Sequence, residues 1–206
     1  MTARSAVRLA VACLAACCCS CLPKGEGAEQ PLSFSDDFER AELGAHYTKT
    51  GGSWRVLAGG LHTRGDHNQP LWLDVPLPRN VRVEFTTVSK SPAVDSKVEI
   101  FGDGVRHESG YIVIFAGWQN SITAIARKDE HERTRQEVRR GGEMNRRYRW
   151  MLQRTDAKTL ELFIDGVKLL EYVDERPLFG PGNNRLAFTS WESEVSYDDL
   201  KITPLP

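Results

Sequence analysis

Tyr148–Asp174 reads YRWMLQRTDAKTLELFIDGVKLLEYVD, and this stretch decides the fold. Thr159–Ile164 sets Leu160, Leu162 and Ile164 against Glu161 and Asp165, the period-2 pattern of a strand with one buried face. Asp165-Gly166 follows, a dipeptide that supplies the positive φ a two-residue hairpin turn needs, and Val167–Val173 returns as the partner strand. On the other side, Asp156–Ala157 separates Thr159 from a preceding strand, Tyr148–Arg154. The stretch predicts strand, turn, strand, turn, strand. It describes a scaffold and says almost nothing about chemistry.

Outward from this meander the same signals repeat. Val81, Val83 and Phe85 alternate with Arg82, Glu84 and Thr86 along a strand expected at Val81–Ser89. Further strands are expected at Ser53–Ala58, Leu61–Thr63, Leu71–Val75, Ser96–Phe101, Tyr111–Phe115, Ile122–Arg127, Arg185–Trp191 and Val195–Ile202. Gly51-Gly52, Gly59-Gly60, Asp103-Gly104 and Gly117 mark turns between them. Asp129–Arg140 (DEHERTRQEVRR) has helical charge spacing but only Val138 as a sizeable apolar residue, so a helix there would have no face to bury. It reads as a solvent-exposed edge strand with a loop, whose charges discourage edge-to-edge pairing. Many short strands without a long amphipathic helix predict an all-β, antiparallel β-sandwich. Trp54, Trp72 and Trp150 fall within strands and are expected in the core.

The chain has 206 residues, 40% hydrophobic and 27% charged, with a formal net charge of −1. That is one ordinary domain plus a leader, and the charge balance argues against a nucleic-acid partner. All five cysteines precede Leu22, so the domain is expected to carry no disulfide, no thiol nucleophile and no cysteine metal ligand. Arg4 and Arg8 followed by the short apolar run Leu9–Ala16 read as a targeting segment. Leu14-Ala15-Ala16-Cys17 resembles the bacterial lipobox. The resemblance implies a signal peptide over residues 1–16, acylation of Cys17, a tether over residues 17–31 and a β-sandwich domain over residues 32–206. An ordinary small-residue cleavage site is the alternative. A non-acidic residue after the acylated cysteine, here Cys18, implies the outer membrane in that sorting pattern. Several acyl chains, at about 0.8 kcal/mol per buried CH₂, would hold the protein to the membrane stably.

Two further stretches carry a family resemblance. SDDFERAELGAHY…GGSWRVLAGGL at the start of the domain, and FIDGVKLLEYVDERPLFGPGNNRLAFTSWESEVSYDDLKI at its end, are similar to concanavalin A-like jelly rolls. That superfamily includes lectins, laminin G-like modules, glucanases and the 3-keto-disaccharide hydrolase-like domains of bacterial lipoproteins. The resemblance spans Leu32 to Ile202. It implies two curved sheets back to back, adjacent first and last strands, and a concave face that holds glycan. Fold alone does not fix function.

Glycoside hydrolysis needs two convergent carboxylates. The superfamily's glucanases carry Glu-x-Asp-x-x-Glu on a mid-chain strand, and this sequence has none. Glu192-Ser193-Glu194 followed by Asp198-Asp199 is the nearest approach, at the wrong spacing. His131-Glu132 begins like HExxH, but position 135 is Arg. His62, Asp66 and His67 crowd one loop without a ligand spacing. Asp36-Asp37 and Asp198-Asp199, brought together by paired termini, offer hard oxygen ligands for a structural Ca²⁺; the alternative is that they cap turns. No Gly-x-Ser-x-Gly elbow exists. Glycan binding asks for aromatic platforms beside hydrogen-bonding groups. Trp118, Gln119 and Asn120 at a hairpin tip, Arg127 on the returning strand, and Trp191-Glu192 form that set. The reading is a lipid-anchored, cell-envelope carbohydrate-binding module. The competing readings are a hydrolase or lyase acting on modified disaccharides, and a structural protein docking a partner on the charged Arg127–Arg147 edge.

Overall fold

A computed structural model describes residues 33–206 of the chain. Cys17, the leader and the tether lie outside the described residues. The strands, in chain order, are β1 (Phe34–Asp36), β2 (Tyr47–Lys49), β3 (Arg55–Leu57), β4 (Gly60–Arg64), β5 (Leu71–Leu73), β6 (Val81–Ser89), β7 (Ser96–Gly102) and β8 (Tyr111–Ala116). They continue as β9 (Ile122–Arg127), β10 (Gln136–Val138), β11 (Arg147–Arg154), β12 (Thr159–Ile164), β13 (Val167–Val173), β14 (Arg185–Ser190) and β15 (Glu194–Pro204).

These strands form two antiparallel sheets. The eight-stranded sheet runs β13-β12-β11-β6-β15-β4-β3, with β1 also paired to β15; the seven-stranded sheet runs β10-β9-β8-β7-β14-β5-β2. The architecture is the concanavalin A-like jelly roll, with first and last strands adjacent through Phe34↔Ile202 and Asp36↔Leu200. The meander forms as its sequence requires. Asp165 and Gly166 take φ of 52° and 81°, and β11, β12 and β13 pair in succession.

The core lies between the sheets. Val81, Val83 and Phe85 of β6 and Trp150 and Leu152 of β11 meet Val98, Ile100, Val113, Phe115 and Phe188 of the seven-stranded sheet in one buried cluster. Phe85 stacks on Trp150 at 5.1 Å between centroids and meets Phe188 edge-on at 5.8 Å. Trp54 and Trp150 are core residues, their indole N–H groups donating to Gln69 O at 2.8 Å and Thr87 Oγ1 at 2.9 Å. Trp72 is equally buried but stands outside this cluster, alongside Gly102. A Cβ at Gly102 would collide with the outer edge of the Trp72 ring, so glycine is what makes room for the indole there.

Elsewhere the strand expectations shift by a few residues, and β1 and β2 are additions. Segment 129–140 is mostly turn, with the exposed three-residue β10 at the sheet edge, as its charges suggested. Within it Arg135 pairs with Glu137 at 2.6 Å.

Candidate functional site

Strand β7 is buried along its whole length, although it contains Lys97 and Glu99. Alternation sends Val98 and Ile100 into the core and therefore Lys97 and Glu99 to the opposite face of the seven-stranded sheet. There Lys97 lies between Ile114 of β8 and Thr189 of β14, and Glu99 between Ile112 and Ala187. From behind, the buried Tyr197 hydroxyl lies 3.0 Å from Lys97 O and 2.8 Å from Thr189 O, pinning the two strands across the sandwich.

Loops fold over this outer face because its charges organise them. The Glu99 carboxylate is fully buried and collects the loop 103–110. Ser109 N, Gly110 N and Ser109 Oγ donate to one oxygen at 2.7, 2.7 and 2.8 Å. Glu108 N and His107 Nδ1 stand 3.0 and 3.2 Å from the other. A carboxylate with this many donors is a structural anchor. His107 Nε2 is left buried without a partner.

Lys97 organises the next layer. Its Nζ donates to Glu130 at 2.9 Å and to Asn68 Oδ1 at 3.2 Å, and it stands 4.0 Å from Asp95 Oδ1. The last distance is too long for a hydrogen bond. Among the described residues, Asp95 Oδ1 is buried with no hydrogen-bond partner. Burial pushes the Asp95 carboxyl up to about 6, against the pull of Lys97. Burial also raises Glu130, but the charge and hydrogen bond of Lys97 outweigh it and leave that carboxyl below its ordinary value. Asp95 is held by a strained segment: Val94 and Asp95 have φ of 59° and 32°, a region β-branched residues rarely enter.

Above these groups opens a cavity of about 760 Å³, lined among others by Asn68, Asp95, Lys97, His107, Trp118 and Trp191. Gly117–Asn120 forms its hairpin tip, a turn with left-handed backbone at Trp118, Gln119 and Asn120. Arg135 sits 4.5 Å over the Trp118 ring. On the other side, His67 stacks on Trp191 at 4.8 Å, and its Nε2 lies 3.3 Å from Glu192. Glu192 N donates to Asp66 O at 2.7 Å and Asn68 N to Ser190 O at 2.9 Å, which ties these two loops together.

Of the residues expected from sequence, Trp118, Gln119, Trp191 and Glu192 line one cavity. Asn120 and Arg127 do not. Asn120 donates to Gly142 O at 2.8 Å and accepts from Gly142 N at 2.6 Å, holding the neighbouring loop against the hairpin. Arg127 ends β9 away from the tip, bonded to Asp174 and to Arg176 O at 3.3 Å. Asp95, Lys97, Glu130, Asn68 and His107 were not anticipated. The available signal was Lys97-Val98-Glu99, charge alternating with apolar residues on a strand between two apolar ones.

The paired termini form a separate pocket of about 350 Å³ lined by Asp36, Asp37 and Asp199. The residues do not fit a calcium cage. Asp36 already accepts from Arg40 at 2.5 and 2.8 Å, from Tyr47 Oη at 2.7 Å and from Phe38 N at 2.9 Å. Asp37 accepts from Glu39 N at 3.1 Å, the turn-capping alternative. Asp198 precedes and Asp199 lies within an irregularity in the β15–β6 register, and each lies 3.4 Å from Arg147. Among the described residues, no group of three or more His, Cys, Asp or Glu is placed to hold a metal ion. Asp66 is likewise structural, accepting from Ser53 N at 2.8 Å and from Thr63 Oγ1.

No family model matches the chain, and no curated protein matches it in sequence. Solved structures do share the fold. A carbohydrate-binding module, CBM66 from Bacillus subtilis, superimposes with a TM-score of 0.65 at 11% identity, over 79% of this chain and 98% of that one. The Bacillus licheniformis β-glucanase gives 0.62 at 11% identity, over 84% and 98%. Lectin II from Ulex europaeus gives 0.60 at 13% identity, over 84% and 97%. At such identities the likeness is one of fold.

Proposed function

We propose that this chain, a concanavalin A-like jelly roll by fold, binds carbohydrate in the cavity on the outer face of its seven-stranded sheet. One observation carries the reading: a single cavity joins two indoles, Trp118 and Trp191, to a polar floor. Arg135 covers one face of Trp118 and His67 one face of Trp191. The covered faces fix the rings, and in this reading the remaining ring surface in the cavity meets sugar C–H groups. Gln119 and Glu192 supply hydrogen bonds beside them. The presence of a carbohydrate-binding module, a glucanase and a lectin among the structures with this fold supports the same reading. A glycan array followed by calorimetry on the best hit tests it. Trp118→Ala and Trp191→Ala should each weaken binding about tenfold to a hundredfold with little change in melting temperature. A loss of stability of about 3–5 kcal/mol would instead mark either indole as packing.

A second reading is favoured by one feature. Asp95 and Glu130 flank the same Lys97 while their proton affinities are pushed in opposite directions, the pattern of an acid and base pair in glycan hydrolysis or elimination. Incubation with array hits, followed by mass spectrometry for cleaved products, separates enzyme from binder.

The leader supports attachment to the cell envelope, at the outer membrane, through acylated Cys17. Cys17→Ser should release the protein from membranes or leave the precursor uncleaved. A processed variant that still fractionates with membranes would place the anchor elsewhere.

A further inference from the structure

We propose that the floor of the cavity selects a neutral, hydroxyl-bearing sugar residue, one of whose hydroxyls bridges Lys97 and Asp95, and that it rejects carboxylated and sulfated sugars. The inference rests on the carbohydrate reading above and names the ligand class. Its basis is an incomplete hydrogen-bond network. Lys97 Nζ has three donors, of which Glu130 and Asn68 take two. The third has no acceptor within hydrogen-bond range among the described residues, Asp95 Oδ1 being 4.0 Å away. Asp95, only 6% exposed, is the complementary defect: its Oδ1 lacks any donor. Such an orphan is costly unless something fills the gap.

The group that fits between a free N–H and a free carboxylate must accept from the first and donate to the second. A hydroxyl does both. An ammonium only donates and a carboxylate or sulfate only accepts, so neither completes the pair. Electrostatics point the same way. Asp95, Glu108, Glu130 and Glu192 line the cavity against one lysine, an acidic excess that repels an anion in a partly desolvated site. Val94 and Asp95, in their left-handed backbone, hold the carboxylate in place while it has no bond of its own.

The test uses the full chain and an array holding neutral oligosaccharides of glucose, galactose, mannose, xylose and fructose beside galacturonate, glucuronate, sialylated and sulfated oligosaccharides. Binding should be confined to neutral probes. For the best neutral probe, Asp95→Asn should weaken affinity about tenfold and Asp95→Ala more. Because the carboxylate holds nothing in the fold, Asp95→Asn should melt no lower than the parent at pH 8. An acidic probe bound as tightly as any neutral one would overturn the proposal. So would unchanged affinity in Asp95→Ala, a lower melting temperature in Asp95→Asn, or a liganded crystal structure in which an ordered water only occupies the gap. If Trp118→Ala weakens binding and Asp95→Ala does not, the floor assignment falls while the rim stands. If no probe binds, the carbohydrate reading itself falls and takes this inference with it.

Discussion

Two sets of acids in this molecule invite comparison. Asp36-Asp37 and Asp198-Asp199 stand out in the sequence as doublets, and strand pairing does bring the termini together. Yet each of these four acids is answered by an arginine or a backbone amide, the covered Asp36 as well as the more exposed Asp37, Asp198 and Asp199. Burial works to raise Asp36, but hydrogen bonds from Arg40, Tyr47 and Phe38 prevail and hold its carboxyl below the usual range. Asp95, Glu99 and Glu130 are single acids scattered along the chain, and all three are buried. Glu99 is saturated with donors and Glu130 has Lys97, whereas Asp95 Oδ1 has nothing. The difference teaches that acid density along a sequence does not predict which acids are buried. A surface acid is satisfied cheaply by water or a passing cation, while a buried one needs a placed partner, and Asp95 is the acid of this set whose Oδ1 is left without one.

The largest expected effect tests the buried set directly. Lys97→Met removes the ammonium that is bonded to Glu130 at 2.9 Å and stands 4.0 Å from Asp95, leaving two buried carboxylates without it. Such a deletion costs about 3–5 kcal/mol. Urea denaturation at pH 7 should show it, with part of the loss recovered at pH 5 as carboxylates protonate. A cost under about 1 kcal/mol would mean that water reaches these groups and that the floor is not a desolvated site.

The pH dependence then separates the two sets by sign. Asp95 has a folded value of about 6 against 3.8 ordinarily, so between those values the folded protein holds a proton that the unfolded chain has lost. Its contribution to stability therefore falls as pH rises through about 6 and is regained on acidification, by at most about 3 kcal/mol. Asp36 is depressed, so its contribution is present above 3.8 and is lost as pH falls through its lower folded value. Comparing the parent with Asp95→Asn from pH 4 to pH 8 should show the mutant gaining stability relative to the parent as pH rises. The same comparison with Asp36→Asn should show about 1 kcal/mol lost at neutral pH and a vanishing difference in acid. Parallel curves for the two variants would break the contrast.

The legible parts of the structure were those fixed by local pattern. Leu160, Leu162 and Ile164 alternate, Asp165-Gly166 turns, and β12 and β13 have the bounds their sequence implies. The short β1 and β2 lack enough residues to show a period. That Trp118, Gln119, Trp191 and Glu192 line one cavity follows from turns that carry an aromatic beside a polar group, with Trp191 exposed and Trp118 partly so. Arg127 was misplaced for a geometric reason. Strand β9 carries it seven residues beyond Asn120, roughly 23 Å at about 3.3 Å per residue. The floor was illegible because it depends on strand order. Lys97 and Glu99 would face water on an edge strand. They are buried because β7 lies between β8 and β14 and because Glu99 gathers residues 103–110 over them.

The smallest expected effect concerns the conspicuous acids. Arg147 is more than half exposed, and its 3.4 Å contacts to Asp198 and Asp199 are at the long end for ion pairs. Arg147→Ala should therefore change stability by less than about 0.5 kcal/mol. Calcium provides the sharper measurement. A structural cage at the paired termini with extracellular-type affinity, about 10⁻⁴ M, would add about 2.7 kcal/mol at a hundredfold excess of calcium over that constant. With Asp36 committed to Arg40 and Tyr47, and Asp198 and Asp199 to Arg147, the melting temperature should not move on adding calcium. A rise of several degrees, abolished by Asp36→Asn, would show that a cation displaces these arginines, and the surface set would then be a site in its own right.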